Sequence, residues 1–209
     1  MTTMTLWIMR HAESTANTEQ TIVSTPGPRA LHHVGLTEHG RAQAADSAHH
    51  ATQHHGITAN THIITSDFAR TLETAHIVSA IWGAPAPITD IRLRERNFGT
   101  LDESPASGYE QVWRADASHG RIPLPAGVES VASVAERVSQ VLRDFWNITH
   151  PADCPDPDLV LIAHGDVLQI LQAVFTGRPA EEHRSLPHLG NAEIRCLGVC
   201  PAPLSPGRR

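Results

Sequence analysis

Five residues whose side chains suit phosphoryl chemistry stand at or just beyond the ends of apolar segments. They are Arg10 and His11 after residues 6–9, Arg70 after 61–65, Glu95 after 86–93, and His164 after 159–163. Arginine forks match phosphate oxygens, and a neutral histidine nitrogen can attack phosphorus. A second histidine can stabilise the spreading charge, and a carboxylic acid can protonate a leaving alkoxide. The set predicts a phosphoryl-transfer site that needs no metal.

The elements that must position these residues alternate between strands and helices. Strands are predicted at 5–10, 61–65, 86–93, 159–164 and 192–199, and helices at 37–54, 68–83, 107–117, 129–146 and 166–177. Residues 12–36 are expected to form a long loop. The alternation predicts an α/β fold, a three-layer α/β/α sandwich with a mostly parallel central sheet. The carboxyl ends of its strands then share one edge, where such sheets bind ligands.

Length and composition restrict the classes of partner. The 209 residues predict a single domain over 1–200, followed by a disordered tail at 201–209. A formal charge of −6, with arginine as the only basic residue besides histidine, argues against nucleic acid or an anionic membrane held by bulk electrostatics. No apolar run reaches the ~18 residues of a membrane span, and no leader pattern is visible. Three cysteines without zinc spacing favour a reducing, cytoplasmic location.

The ordered motifs resemble the histidine phosphatase superfamily, which includes the cofactor-dependent phosphoglycerate mutases. The matching segments are "RHAE" at 10–13 with Ser14 and Asn17, "GLTEHGRAQA" at 35–44, "SDFARTLETA" at 66–75, "LRERNFG" at 93–99 and "AHGDVL" at 163–168. The resemblance implies that His11 is the phosphorylated nucleophile and Glu95 the proton donor. It also implies that Arg10, Arg70 and His164 hold the phosphoryl group with help from Asn17.

Three positions depart from the family pattern. Ala12 replaces a usual glycine, and we expect its extra methyl group to be tolerated. Glu103 stands where many members have glycine, so the loop there is expected to differ. The segment "GVES" at 127–130 contains one residue more than the family's Gly-Glu-Ser, which argues against a substrate role for Glu129 or Ser130.

Several residues have two interpretations. Asp166 is the alternative acid, because another branch of the superfamily has aspartate directly after the second histidine; here Gly165 intervenes, which favours Glu95. The histidine pairs at 49–50 and 54–55 have i, i+4 metal spacing, but a solvated helix face is the simpler interpretation. His32, His33, Arg114 and Arg121 either touch substrate or lie in solvent.

Three functions fit the resemblance. A phosphatase acting on a small phosphorylated metabolite, without a bound cofactor or metal, is favoured over a mutase. Mutase relatives have a longer insert with a lysine and paired arginines, whereas this chain has no lysine and has Phe98 where mutases tend to have tyrosine. A non-catalytic phospho-ligand module is the third hypothesis, disfavoured by the intact set of site residues. A homodimer is an assembly that the sequence allows.

Overall fold

A five-stranded sheet forms the centre of the protein in a computed structural model that describes residues 4–118, 120–148 and 158–200. The strands are β1 (Met4–Arg10), β2 (His62–Thr65), β3 (Ile88–Thr89), β4 (Leu159–Ala163) and β5 (Ile194–Cys200). Their spatial order is β3-β2-β4-β1-β5. All neighbours pair in parallel except β5, which runs antiparallel to β1. The predicted tail, 201–209, lies outside the described residues.

Helices connect the strands. They are α1 (Thr15–Thr18), α2 (Glu38–His54), α3 (Ala69–Trp82), α4 (Tyr109–Ala117), α5 (Val131–Ile148) and α6 (Gly165–Phe175). Short 3₁₀ turns occupy Ile91–Leu93, Gly99–Leu101, Ala106–Gly108 and Ala180–Ser185, and a π-helical turn occupies Arg29–His33. Among the described residues, none of the helices has the length and hydropathy needed to cross a membrane.

Side chains alternate between the two faces of the sheet and build two cores. Leu6 and Ile8 of β1 belong to the core that includes residues of α5 and α6, such as Val138 and Leu168. Trp7 and Met9 face the opposite way, toward residues of α2 and α3. Because both faces are covered, residues 6–9 of β1 and all of β4 are apolar without interruption. The predicted three-layer α/β/α sandwich is confirmed.

The predicted third strand, 86–93, is mostly wrong. Only Ile88 and Thr89 pair with β2, and Ile91–Leu93 form a 3₁₀ turn. Two features shorten the strand. Asp90 turns the chain by accepting a hydrogen bond from the Arg92 backbone N–H at 2.8 Å, and β3 is an edge strand with β2 as its neighbour. Glu95 therefore lies in a loop beyond the turn and not directly at a strand end.

Helix ends follow the sequence signals with one exception. Thr37 caps α2 by accepting from the Gly40 N–H at 2.9 Å, and Gly177 follows α6 with φ +68°. Neither Ser66 nor Asp67, the polar residues that follow the apolar segment 61–65, caps α3, because Phe68 is the N-cap residue. Asp67 instead accepts from Arg94 Nε at 2.8 Å. The predicted loop 12–36 also contains α1 and the π-helical turn.

Candidate active site

The ends of β1, β4 and β2 meet at one edge of the sheet. Arg10 is level with Ala163, and Thr65 is level with Ile162. The His11 N–H donates to the Ala163 carbonyl at 3.1 Å, which places His11 beside the start of α6. Because parallel strands end together, residues that are distant along the chain become neighbours here.

His11 is fixed in one tautomer. Its side chain is only 3% exposed, and its Nδ1 lies 2.8 Å from the Ala12 carbonyl oxygen. A carbonyl can only accept, so Nδ1 carries the proton and Nε2 has a free lone pair. Burial, together with the charges of Arg70 and Arg10, holds the pKa of His11 well below its usual range. The imidazole is therefore neutral and can act as a nucleophile through Nε2.

Arg10 and Arg70 each keep one buried nitrogen without a hydrogen-bond partner among the described residues. Arg70 donates from Nε to His164 Nδ1 at 3.2 Å and from Nη2 to the Val23 carbonyl at 2.9 Å, while its Nη1 is unpartnered. Arg10 donates from Nη1 to the Leu189 carbonyl at 3.0 Å, while its Nε is unpartnered. Buried donors are costly when they lack an acceptor. Two such donors beside His11 make this a place where an anion is favoured.

His164 uses both ring nitrogens within the protein. Since Arg70 donates to Nδ1, the proton of the neutral ring is on Nε2, which donates to Ser66 Oγ at 3.0 Å. The ring is fully buried, and its centroid lies 5.4 Å from that of His11. Burial and the charge of Arg70 hold the pKa of His164 well below its usual range. In this arrangement His164 fixes Arg70.

The two candidate acids have different surroundings. Glu95 accepts from the Arg96 backbone N–H at 2.9 Å, and burial, reinforced by the charge of Asp166, raises its pKa to about 7. Asp166 accepts from the indole Nε1 of Trp113 at 3.0 Å and from Arg96 Nη1 at 3.3 Å. A buried carboxyl that holds a proton near neutral pH suits general acid catalysis. Glu95 is favoured over Asp166 for that purpose, because Arg96 and Trp113 already donate hydrogen bonds to Asp166.

Asn17 completes the set of predicted residues. Its Oδ1 accepts from the Ser14 N–H at 3.0 Å and from Asn191 Nδ2 at 3.2 Å, which orients the side-chain amide. Asn191 also donates to the His11 carbonyl oxygen at 3.2 Å. The Nδ2 group of Asn17 makes no hydrogen bond to any described residue, so it remains available as a donor.

A cavity of about 410 Å³ opens beside these residues. Its wall contains Arg10, Ala16, Asn17, Gln20, Thr21, Glu95, Ala106, Tyr109, Trp113, Gly165, Asp166 and His188. His11, Arg70 and His164 are buried next to this wall, adjoining Arg10 and Gly165. All six predicted site residues are thus brought together at one place.

Sequence reasoning missed His188, Tyr109 and Trp113. His188 Nε2 lies 3.1 Å from Arg10 Nη1, where it can only accept, so it helps to orient that guanidinium group. A Cβ atom on Gly165 would lie 3.0 Å from His188 Cε1, so the glycine leaves room for this ring. Aromatic residues on the predicted helix 107–117 were a usable signal for Tyr109 and Trp113; His188 had none.

A buried ionic network lies behind the cavity. The side chains of Asp116, Asp166 and His183 place ligand-type atoms within 4.8 Å of one another, the pattern of a metal site. The guanidinium of Arg96 already supplies the cation, donating to Asp116 at 2.6 and 2.9 Å. A divalent ion would lie against this positive charge, so the donor set does not fit a metal.

Apart from Asp166, the residues with two interpretations in the sequence lie away from the cavity. Arg114 is 73% exposed on its side chain and faces Glu110, and Arg121 donates to the Ser118 carbonyl. His32 and His33 are exposed in the π-helical turn. On α2, His49, His50 and His54 are exposed, in keeping with a solvated helix face.

The three departures from the family pattern have structural explanations. Ala12 is fully buried without a positive φ, and its N–H donates to Thr74 Oγ1 at 3.1 Å. Glu103 has φ +61°, so it keeps a glycine-like conformation. Glu129 accepts from Arg137 at 2.9 and 3.0 Å, and Ser130 Oγ accepts from the Ser133 N–H. Neither Glu129 nor Ser130 lines the cavity.

Comparison with known proteins identifies the family. The family model described as "Histidine phosphatase superfamily (branch 1)" matches residues 6–202. The chain belongs to this superfamily. The resemblance in the sequence is confirmed, as is the prediction of an enzyme of the histidine phosphatase type.

Relatives within the superfamily have different activities in their names. Probable phosphoglycerate mutase GpmB of Cronobacter sakazakii is 34% identical over 194 residues, covering 90% of this chain and 82% of that protein. The solved structure named Mycobacterial hydrolase 1 has a TM-score of 0.73 at 27% identity, covering 91% of this chain and 88% of that one. A mycobacterial glucosyl-3-phosphoglycerate phosphatase has a TM-score of 0.73 at 26% identity, covering 91% and 87%. Another structure of that phosphatase contains inorganic phosphate.

Proposed function

We propose that the protein is a phosphatase that hydrolyses phosphomonoesters of small metabolites through a phosphohistidine on His11. One observation carries this proposal. Arg10 Nε and Arg70 Nη1 are buried donors without partners, and they lie beside a neutral histidine whose Nε2 lone pair is free. A phosphoryl group supplies the oxygens that these donors lack, and it supplies the phosphorus that the lone pair can attack.

The first half-reaction transfers the phosphoryl group to His11. Nε2 attacks phosphorus, the bond from phosphorus to the alcohol oxygen breaks, and Glu95 gives its proton to the departing alkoxide. The Nδ1–H of His11 continues to donate its hydrogen bond to the Ala12 carbonyl oxygen, and this hydrogen bond stabilises the positive charge that develops on the ring. Arg70 and Arg10 hold the phosphoryl oxygens as their charge spreads.

The second half-reaction returns the enzyme to its starting state. The Glu95 carboxylate takes a proton from water, the water oxygen attacks phosphorus, and the phosphorus–nitrogen bond breaks. Inorganic phosphate leaves, His11 is neutral again, and Glu95 is protonated. Because His164 keeps Arg70 in position through Nδ1, and Asn17 offers its NH₂ group, both support the transferred group in each half.

The cavity favours a phosphatase over a mutase, the activity in the name of the GpmB relative. A mutase must hold a second anionic group of its substrate while the phosphohistidine waits. The basic residues in the cavity wall are Arg10 and His188, and the wall also contains the carboxyl groups of Glu95 and Asp166. A second anion would meet those carboxyl groups, whereas water can enter the cavity.

The test is phosphate release from a panel of phosphorylated metabolites, with 3-phosphoglycerate isomerisation assayed alongside. We expect His11→Ala to abolish turnover and to keep the wild-type circular dichroism spectrum. His33→Ala, which changes an exposed histidine, is the matched control and should keep wild-type activity. An acid-labile, base-stable phosphate should be trapped on His11 with slow substrates. Turnover at the wild-type rate in His11→Ala would refute the phosphohistidine, and isomerisation exceeding hydrolysis would favour a mutase.

A further inference from the structure

We propose that Tyr109 and Trp113 of α4 form the subsite for the alcohol half of the substrate, and that this subsite selects an uncharged alcohol that carries a ring. The inference rests on the proposed phosphatase function and adds a substrate class to it. Both side chains line the cavity together with Glu95, the proposed proton donor to the departing alcohol. An alcohol oxygen near Glu95 therefore has its carbon skeleton toward α4.

The two aromatic rings form a rigid platform. Tyr109 and Trp113 stack with centroids 5.4 Å apart and planes inclined by 11°. Phe98 meets the Tyr109 ring edge-on at 4.7 Å and 88°. Tyrosine and tryptophan side chains provide contact area for a ligand at little entropic cost, because each ring has few rotatable bonds.

Trp113 is held from two further directions. Its indole Nε1 donates to Asp166 Oδ1 at 3.0 Å, and the guanidinium of Arg184 lies 4.1 Å from the ring centroid. Asp166 is in turn held by Arg96. The indole therefore has its orientation before a substrate arrives, and such pre-organisation lowers the cost of binding.

Charge around the subsite excludes a second anionic group. Asp166 lines the cavity, and so does Glu95, which becomes a carboxylate when it protonates the leaving alcohol; Arg10 faces the position of the phosphoryl group. Arg184 is not a free cation, since it donates to Gln169 Oε1 at 2.6 Å and lies 3.5 Å from Asp166 Oδ1. A carboxylate on the alcohol half would lie near like charges without a free cation among the described wall residues.

The rest of the wall is small and uncharged. Ala16 and Ala106 contribute methyl groups, and Gln20 and Thr21 contribute groups that can hydrogen-bond to hydroxyls. The volume of about 410 Å³ lies within the ~300–1,000 Å³ typical of small-molecule sites. A monophosphate of a six-membered ring, either a sugar or an aryl alcohol, has the size and polarity of this space.

Two matched pairs of substrates test the subsite on the full chain. Benzyl phosphate and butyl phosphate have alkoxide leaving groups of similar basicity and differ in the ring. Glycerol 3-phosphate and 3-phosphoglycerate differ by one carboxylate. We expect kcat/KM to favour the ring by roughly 3- to 10-fold, the range of an aromatic pair. We expect it to favour the uncharged glycerol ester over the carboxylate by about 10-fold or more, since each unfavourable like-charge contact costs on that order.

Trp113→Leu should reduce the ring preference to about 2-fold or less, because the part of the indole that lines the cavity is lost while apolar volume remains. Tyr109→Leu repeats the measurement, since Trp113→Leu also leaves Asp166 without its indole donor and can affect folding. Arg114→Ala, on the exposed side of the same helix, is the control and should keep the wild-type preference.

The outcomes separate this inference from the proposed function. If none of the four esters releases phosphate and no phosphohistidine forms, the proposed function fails. Hydrolysis without a ring preference, or with the wild-type preference kept in both leucine variants, overturns the aromatic subsite. Hydrolysis that favours 3-phosphoglycerate over glycerol 3-phosphate overturns the selection against charge. A ring preference that falls in either leucine variant and persists in Arg114→Ala supports the subsite.

Discussion

Arg96 and Arg70 are both buried, since the two residues are 0% and 4% exposed, yet their hydrogen-bond partners differ completely. Arg96 makes two hydrogen bonds to Asp116, one to Asp166 and one to the Glu129 carbonyl. Arg70 has a neutral histidine and a carbonyl as acceptors, and one nitrogen has none. No carboxylate of the described residues forms an ion pair with Arg70.

The difference shows how one residue type serves two purposes. A buried cation is costly unless charge and hydrogen bonds compensate it. The protein itself compensates Arg96, which joins the Glu95 loop to α4 and α6. The charge of Arg70 is not compensated in this way by the described residues, and a bound anion would compensate it. The region around Arg70 therefore favours anion binding at some expense to the stability of the free protein.

Glu95 connects the two regions, and among the substitutions that probe this comparison its replacement should have the largest effect. Burial and, to a smaller extent, the charge of Asp166 on the Arg96 side raise the pKa of Glu95 to about 7, against the opposing effect of Arg70. We expect Glu95→Gln to reduce the rate on alkyl phosphates by on the order of 10²–10⁴-fold, the range of general acid catalysis. The loss on p-nitrophenyl phosphate should be much smaller, because that leaving group needs little protonation.

The pH dependence of kcat/KM is a second test of Glu95 as the general acid. Glu95 must be protonated to act as the acid, so kcat/KM of the wild type on alkyl phosphates should fall as the pH rises above about 7. Glu95→Gln should lack this alkaline limb, and Asp166→Asn is the comparison variant. If phosphorylation limits the rate and both substrates lose activity equally in Glu95→Gln, Glu95 is not the acid. A loss selective for alkyl phosphates in Asp166→Asn would assign the proton to Asp166.

Arg96→Met should reduce the free energy of unfolding by about 3–5 kcal/mol, because it leaves Asp116 buried without its guanidinium partner and removes one of the two guanidinium partners of Asp166. Urea denaturation followed by circular dichroism measures the change. Arg96→Met combined with Asp116→Leu should recover part of the loss, since one unpaired carboxylate is removed. An unchanged unfolding midpoint in the single variant would show that the network does not stabilise the fold.

Arg70→Gln should lower kcat/KM by about 10²–10³-fold, the usual cost of removing one group that stabilises a developing oxyanion. Its unfolding midpoint should equal or exceed that of the wild type, because an incompletely compensated charge is removed. Inorganic phosphate should raise the midpoint of the wild type more than that of the variant. Arg41→Gln, at a surface pair with Glu73, is the control. A large loss of stability in Arg70→Gln would contradict the contrast with Arg96.

The sheet and the meeting of Arg10, His11 and His164 at its edge could be predicted because their signals are local. Uninterrupted apolar runs specify β1 and β4, and Arg10, His11 and His164 adjoin those runs in sequence. The prediction of a strand over 86–93 failed because the Asp90 side chain accepts a hydrogen bond from the Arg92 backbone N–H and ends the strand pairing there. Hydrophobic periodicity carries no signal for such a side-chain contact.

The Arg96 network and His188 could not be predicted for a different reason. Arg96 follows two partly exposed arginines, Arg92 and Arg94, in the segment "RLRERNFG". Nothing in the spacing of the three distinguishes the buried one. Its partner Asp116 is 20 positions away and Asp166 is 70 positions away. Contacts across such separations depend on how α4 and α6 pack, which one sequence does not specify.

The close approach of Gly165 to His188 has an evolutionary consequence. A methyl group at position 165 would lie 3.0 Å from His188 Cε1 and 3.8 Å from Arg10 Nε. A lineage that exchanged this glycine for a larger residue would therefore have to change position 188 as well, or lose the acceptor that orients Arg10. Positions 165 and 188 should accordingly covary among descendants of this chain, although they belong to segments that never pair in the sheet.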